Sequence, residues 1–161
     1  MQPTAIKNII VRMQKKHKLI FHQLIKEGDM PRKTLKPKSL EFQPRPSYPY
    51  SPGATGGGFI FTAGQVAWDE SGEVTAIGDV AAQTRQTLKN VVSVLHEGGA
   101  TVNDVLKCNV YLTDMRDFDA MNAEFARVFP DDPPARTTVE ARLADATMLV
   151  EIEAIAWVES K

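Results

Sequence analysis

Residues 134–157 read PARTTVEARLADATMLVEIEAIAW, and two alternations run through them. Thr137, Val139, Ala141 and Leu143 alternate with Arg136, Thr138, Glu140 and Arg142. Val150, Ile152, Ala154 and Ala156 alternate with Glu151, Glu153, Ile155 and Trp157. A period of two is the signature of a β-strand with one buried face, so the stretch predicts two strands. If they pair through a turn at residues 144–147, Glu140 lies opposite Glu151 and Thr138 opposite Glu153. Arg136, Glu151 and Glu153 then share one face with Ile155 and Trp157. That mixture of charge and apolar surface suits a subunit interface holding a polar pocket better than open water.

Working towards the N-terminus, residues 105–112 alternate again, with Leu106, Cys108, Val110 and Leu112 against Lys107, Asn109 and Tyr111. This is a third strand, and it puts Cys108 on the apolar side, where a thiol is packing material and not a nucleophile. Between it and residue 134, Asp114 can cap a helix whose face is Phe118, Met121, Phe125 and Val128, ended by Pro130, Pro133 and Pro134. Asp79 can cap an earlier helix running to about Glu97, with Thr84, Leu88, Val91, Val92 and Leu95 on one face and Gly98 and Gly99 as its stop. Before that, Phe59, Ile60, Phe61 and Thr62 form a β-rich run interrupted at Gly64, and polar residues 69–72 turn the chain before a second short strand at Val74, so the two are expected to form a hairpin. Pro44, Pro46, Pro49 and Pro52 suggest an extended approach, and Gly53, Gly56, Gly57 and Gly58 read as turns. The predicted order is ββαβαββ, an α+β fold with two helices on one face of a mixed sheet. The other face stays open unless a partner covers it.

The 161 residues, 43% hydrophobic and 24% charged, suit a single globular domain. The formal charge of -1 conceals an asymmetry: residues 1–38 hold ten Lys/Arg against two Asp/Glu, and residues 39–161 hold nine against eighteen. Residues 1–38 are therefore read as a basic extension, carrying an amphipathic helix over residues 6–25, and residues 39–161 as the domain. No apolar run reaches the roughly 18 to 20 residues of a membrane span, and no secretory signal opens the chain. A single cysteine agrees with a reducing compartment. The expected location is cytoplasmic, or mitochondrial if the extension is a targeting segment.

Arg136 presents a planar fork that matches a carboxylate, and a nearby glutamate such as Glu151 can hold or deprotonate water. From the pattern alone an interstrand Arg–Glu ion pair is the favoured reading, because such pairs are common on strand faces. The three histidines, His17, His22 and His96, are dispersed, so neither a zinc site nor a Ser-His-Asp triad assembles. No glycine fingerprint for a phosphate or dinucleotide is present.

Over residues 47–158 the chain resembles the RidA/YjgF family. The likeness rests on YPYSPG at 48–53, FTAGQV at 61–66, Asn122-Ala123 with Phe125, PARTTVEARL at 134–143 and EIEAIA at 151–156. The resemblance implies a chorismate-mutase-like fold assembled as a homotrimer with sites in clefts between subunits. It further implies cofactor-free and metal-free hydrolysis of reactive enamines and imines of the 2-aminoacrylate type to a 2-oxo acid and ammonia, as by a 2-iminobutanoate/2-iminopropanoate deaminase. Arg136 would grip the substrate carboxylate and Glu151 would position or activate water, with Tyr50, Asn122, Thr138 and Ala63 lining the pocket. Thr138 and Ala63 stand where many members carry Cys and Ser, and residues 143–150 depart from the common leucine-proline-lysine turn. The rival readings are a trimer that binds small carboxylates without turnover, and an RNA-binding translation inhibitor, which the basic extension alone favours.

Overall fold

The computed structural model describes residues 31–42 and 48–159. The helix expected over residues 6–25 and the prolines at 44 and 46 lie outside them. The chain divides into two units, Met1–Pro31 and Arg32–Lys161, and every strand and helix given below belongs to the second.

Six strands form one sheet: β1 (Lys33–Leu35), β2 (Gly53–Gly56), β3 (Phe59–Thr62), β4 (Val105–Leu112), β5 (Ala135–Glu140) and β6 (Val150–Trp157). Helix α1 (Val80–Glu97) precedes β4, and α2 (Phe118–Val128) links β4 to β5. In the sheet the order is β1-β2-β3-β6-β4-β5, with β4 and β5 parallel and every other neighbouring pair antiparallel. The expected mixed sheet with two helices is therefore present. Parallel neighbours need a long crossover, which α2 supplies.

Both helices begin and end near the residues the sequence marks. The Asp79 carboxylate accepts from the backbone N–H of Ala82 at 2.9 Å, and α1 stops at Gly98. Asp114 caps a short 3-10 turn, Met115–Asp117, which leads into α2. One face of the sheet and both helices enclose a core of Ile60, Leu88, Val91, Leu95, Val110, Leu112, Met121 and Ile152, among others. No helix among the described residues is long and apolar enough to cross a membrane.

Three expectations are corrected. The domain begins near Arg32, not at residue 39: β1 pairs with β2, and Leu35 and Leu40 are 5% and 1% exposed. The hairpin partner of Phe59–Thr62 precedes it. Gly57 and Gly58, at φ 60° and 83°, make a two-residue turn whose positive φ values suit glycine, while the segment around Val74 keeps only an isolated bridge to Trp68.

The third correction decides the site. β5 and β6 do not pair; β4 lies between them. Val150, Ile152, Ala154 and Ala156 are all at most 1% exposed, as a central strand requires. β5 has no fully buried residue and takes the edge. Tyr111 of β4, in place of Glu140, faces Glu151, and Asn109 faces Glu153.

Candidate active site

Directly paired residues on neighbouring strands point to the same side of a sheet. Arg136 pairs with Cys108 and Thr138 with Val110, both wholly buried beneath the helices. Glu151 pairs with Tyr111, on the opposite, open face. The expectation that Arg136, Glu151 and Glu153 share one face is overturned, because it followed from a β5–β6 hairpin that does not form. A single protomer presents two half-sites on opposite sides of its sheet.

The first half-site is cationic. The Arg136 guanidinium carbon stands 4.6 Å from the ring centroid of Phe125 and 5.6 Å from that of Phe118, and Nη2 donates to Asn122 Oδ1 at 2.7 Å. None of the ion pairs among the described residues includes Arg136. The interstrand Arg–Glu bridge is thus absent. Two residues along the same strand face, the buried Thr138 Oγ1 has no hydrogen-bond partner, which is costly unless a ligand or water supplies one. Beneath them Cys108 is fully buried; burial pushes its thiol up to about 12, against the smaller opposing pull of Arg136 and Lys107. It is a core residue, as its place in the alternation indicates.

The second half-site is acidic. Glu151 is half-buried on the open face, and burial first, then the neighbouring Glu153 charge, raises its pKa above the ordinary carboxylate value. Glu153 is held by Asn109 Nδ2 at 2.8 Å and by the Tyr111 hydroxyl at 3.1 Å, which both donate to its Oε1. The Glu151 side chain lies against Gly64, where any side chain would collide with the carboxylate. Gln65 fixes that segment: its backbone N–H donates to Ile152 O at 2.9 Å, and its O accepts from the Ile152 N–H at 2.9 Å. Ala63 sits beside it, its N–H donating to Pro52 O at 2.8 Å.

Of the residues expected to line the pocket, Asn122 and Thr138 stand with Arg136, and Ala63 adjoins Gly64 and Glu151. Tyr50 stands apart, in a cleft of about 560 Å³ bordered by Trp68, Ile77 and Met148. A second cleft, of about 730 Å³, lies under residues 140–146 and contains neither Arg136 nor Glu151. Sequence reading missed three roles. Gly64 and Phe125 stand within the motifs that carry the likeness and Phe118 on the buried face of α2, but none of the three is given a place at the site by the sequence. The i, i+4, i+7 spacing of residues 118, 122 and 125 was the available signal that they meet one neighbour. Among the described residues no cluster of three or more His, Cys, Asp or Glu is placed to hold a metal ion.

The family described as Endoribonuclease L-PSP matches residues 41–158. A RutC family protein of Pyrococcus horikoshii is 44% identical over 120 residues, 74% of this chain and 94% of that protein. The 3-aminoacrylate deaminase RutC of Acinetobacter baylyi is 33% identical over 129 residues, 80% of this chain and all of that protein. Among solved structures, the YjgF gene product of E. coli superposes with a TM-score of 0.70 at 36% identity, covering 79% of this chain and 99% of that one. TdcF of E. coli, solved with bound serine, gives 0.70 at 30%, with the same coverage. Matching fold, matching length of the folded unit and this level of identity agree: the chain belongs to the RidA/YjgF family, the family described as Endoribonuclease L-PSP.

Proposed function

We propose that this protein hydrolyses small carboxylate-bearing enamines and imines, of the 2-aminoacrylate type, to a 2-oxo acid and ammonia. The observation that carries the reading is the Arg136 guanidinium: half-buried, stacked on aromatic rings, beside an orphaned hydroxyl, and without a carboxylate partner among the described residues. Such a cation is suited to an anionic ligand. A relative at 33% identity bears the name of a deaminase of 3-aminoacrylate, a substrate of the same chemical class.

The two half-sites face away from each other, so the reading requires that they meet between copies. Arg136, Asn122 and Thr138 of one protomer would face Glu151 and Gly64 of the next, in clefts of a closed homotrimer. The open sheet face supports this: Phe59, Phe61 and Trp157 are 41%, 48% and 44% exposed, a large apolar surface to leave in water.

In such a cleft Arg136 holds the substrate carboxylate. An enamine takes a proton on carbon to become the imine, and water adds to the imine carbon. Glu151 accepts one proton from that water and passes it to nitrogen, then takes the second from the new hydroxyl as the carbonyl forms and passes it on as nitrogen leaves as ammonia. Net, one water is consumed and no electrons are exchanged. The raised pKa of Glu151 brings it closer to the working pH of a group that must both accept and donate. No step calls on a cofactor, and a cytoplasmic setting belongs to the same reading.

The test generates the imine in place, with an amino-acid oxidase or a lyase, and follows the 2-oxo acid and ammonia. The protein should accelerate their release, Arg136→Ala should abolish the gain, and a form starting at Met30 should behave like the full chain. A wild-type rate equal to the uncatalysed one removes the proposal. Binding of 2-oxobutanoate without turnover would favour the carboxylate-binding trimer in its place.

A further inference from the structure

We propose that Phe118, Asn122 and Phe125 are positioning residues for Arg136: together they hold its guanidinium in one orientation while withholding any counter-charge, so that the cation is kept for an incoming carboxylate. The inference rests on the reading of Arg136 as an anion-binding group. It assigns Asn122 to the arginine, where the family likeness had made it part of the pocket lining.

The three residues fall four and three positions apart and form one stripe along α2. The rings of Phe125 and Phe118 lie 4.6 and 5.6 Å from the guanidinium carbon, and the Asn122 side-chain carbonyl accepts from Nη2 at 2.7 Å. Phe125 is 4% exposed and Phe118 is packed against the core, so neither ring is free to swing away.

A half-buried arginine needs something to offset its charge. Even some exposed arginines among the described residues take carboxylate partners: Arg85 is paired with Glu124 at 2.7 Å, and Arg116 with Asp114. A carboxylate partner occupies the fork and cancels the charge that would attract a ligand. An aromatic face attracts the cation through its quadrupole without accepting an N–H, and the neutral Asn122 carbonyl takes one of the five N–H donors. The remaining donors keep their fork geometry for a bidentate anion.

Asn122→Asp is the discriminating variant. It is isosteric, sits at an exposed position, and puts a carboxylate where a neutral acceptor stood. Binding of 2-oxobutanoate at pH 7 should weaken at least tenfold and KM for the imine should rise in proportion, while Tm stays level or increases. If Asn122 merely ties α2 to β5, the new ion pair leaves affinity unchanged, and that result overturns the inference. A second measurement is independent of ligand and turnover. The Arg136 side-chain N–H resonances should be displaced by the aromatic ring current in the wild type, remain displaced in Phe125→Tyr, and lose most of the displacement in Phe125→Leu. A wild type that neither binds 2-oxobutanoate nor hydrolyses imine, yet shows the displaced resonances, would remove the proposed function and leave the clamp standing. Undisplaced wild-type resonances would overturn the clamp whatever the activity.

Discussion

The Glu151 carboxylate occupies the space that a side chain at position 64 would need. Gly64 is thus part of the acidic half-site, since only a bare α-carbon lets the acid lie against the 63–65 segment. Gly64→Ala should push the carboxylate away, lowering kcat at least tenfold. Because the clash is with the far end of a flexible side chain, which can swing aside, Tm should change little. Steady-state kinetics and calorimetry on the same preparation check both effects; an alanine variant with native kcat would show that the carboxylate's position is immaterial.

Arg136 and Glu151 lie on opposite faces of one sheet, which makes chain-to-chain complementation decisive. Arg136→Ala and Glu151→Ala should each be inactive alone. Unfolded together and reassembled in equal amounts, they should regain about a quarter of wild-type activity, because random pairing puts an intact arginine opposite an intact glutamate at that frequency in a ring with one kind of contact. If each site were built within one chain, the mixture would stay inactive.

Burial and the Glu153 charge raise the Glu151 pKa, so this acid holds more protons folded than unfolded. Stability from this group is therefore lost as pH rises from the unfolded pKa through the folded one. Glu151→Gln should raise Tm at neutral pH and leave it unchanged below the ordinary carboxylate range. The acidic limb of the rate profile should lie above the usual carboxylate value and move lower in Glu153→Gln, which removes the second cause of the shift. Melting curves and rates from pH 4 to 8 give both answers.

Glu124 of α2 is 6% exposed and depends on Arg85 of α1 at 2.7 Å, with Arg127 farther off at 3.6 Å. Arg85→Ala should strand that buried charge. Breaking a fully buried pair costs about 3–5 kcal/mol, and the exposure of Arg85 reduces the expectation to roughly 1–2 kcal/mol. Adding Glu124→Gln should recover most of the loss, as urea melts of the single and double variants would reveal.

Cys108, with its thiol pushed up to about 12 by burial, should resist iodoacetamide in the folded protein at pH 8 and react within minutes once unfolded. Mass spectrometry of the quenched samples distinguishes the two; rapid alkylation of the native state would contradict its place in the core.

How much of this was legible in the sequence depended on the range of the interaction concerned. Caps, stops and alternation are local, so Asp79, Gly98, the buried set of β6 and Cys108, Val110 and Leu112 of β4 could be read directly; Leu106, expected with them, is 53% exposed because the register shifts between Val105 and Lys107. Strand order is not local. The hairpin between residues 136–143 and 150–157 was the short connection, and it lost because β6 is apolar enough on its inner face to be central while β5 is not. That difference stood in the residues: Val150, Ile152, Ala154 and Ala156 against Arg136, Thr138 and Glu140. The motifs supply the candidate residues by likeness, whereas their common face follows only from a β5–β6 pairing, and it falls with that pairing. Gly64 escaped notice because a close approach between distant segments leaves no periodic trace; the spacing of residues 118, 122 and 125 shows that they share a face, but not which neighbour that face meets.

The outer rim of β5 has a consequence for assembly. It ends the sheet with unpaired backbone donors and acceptors, the kind of border that invites a further strand from another molecule. Here that border is six residues long, carries Glu140 and Arg136, and stops at the prolines of 133–134. Short, charged and abruptly ended, it discourages lateral stacking into fibres.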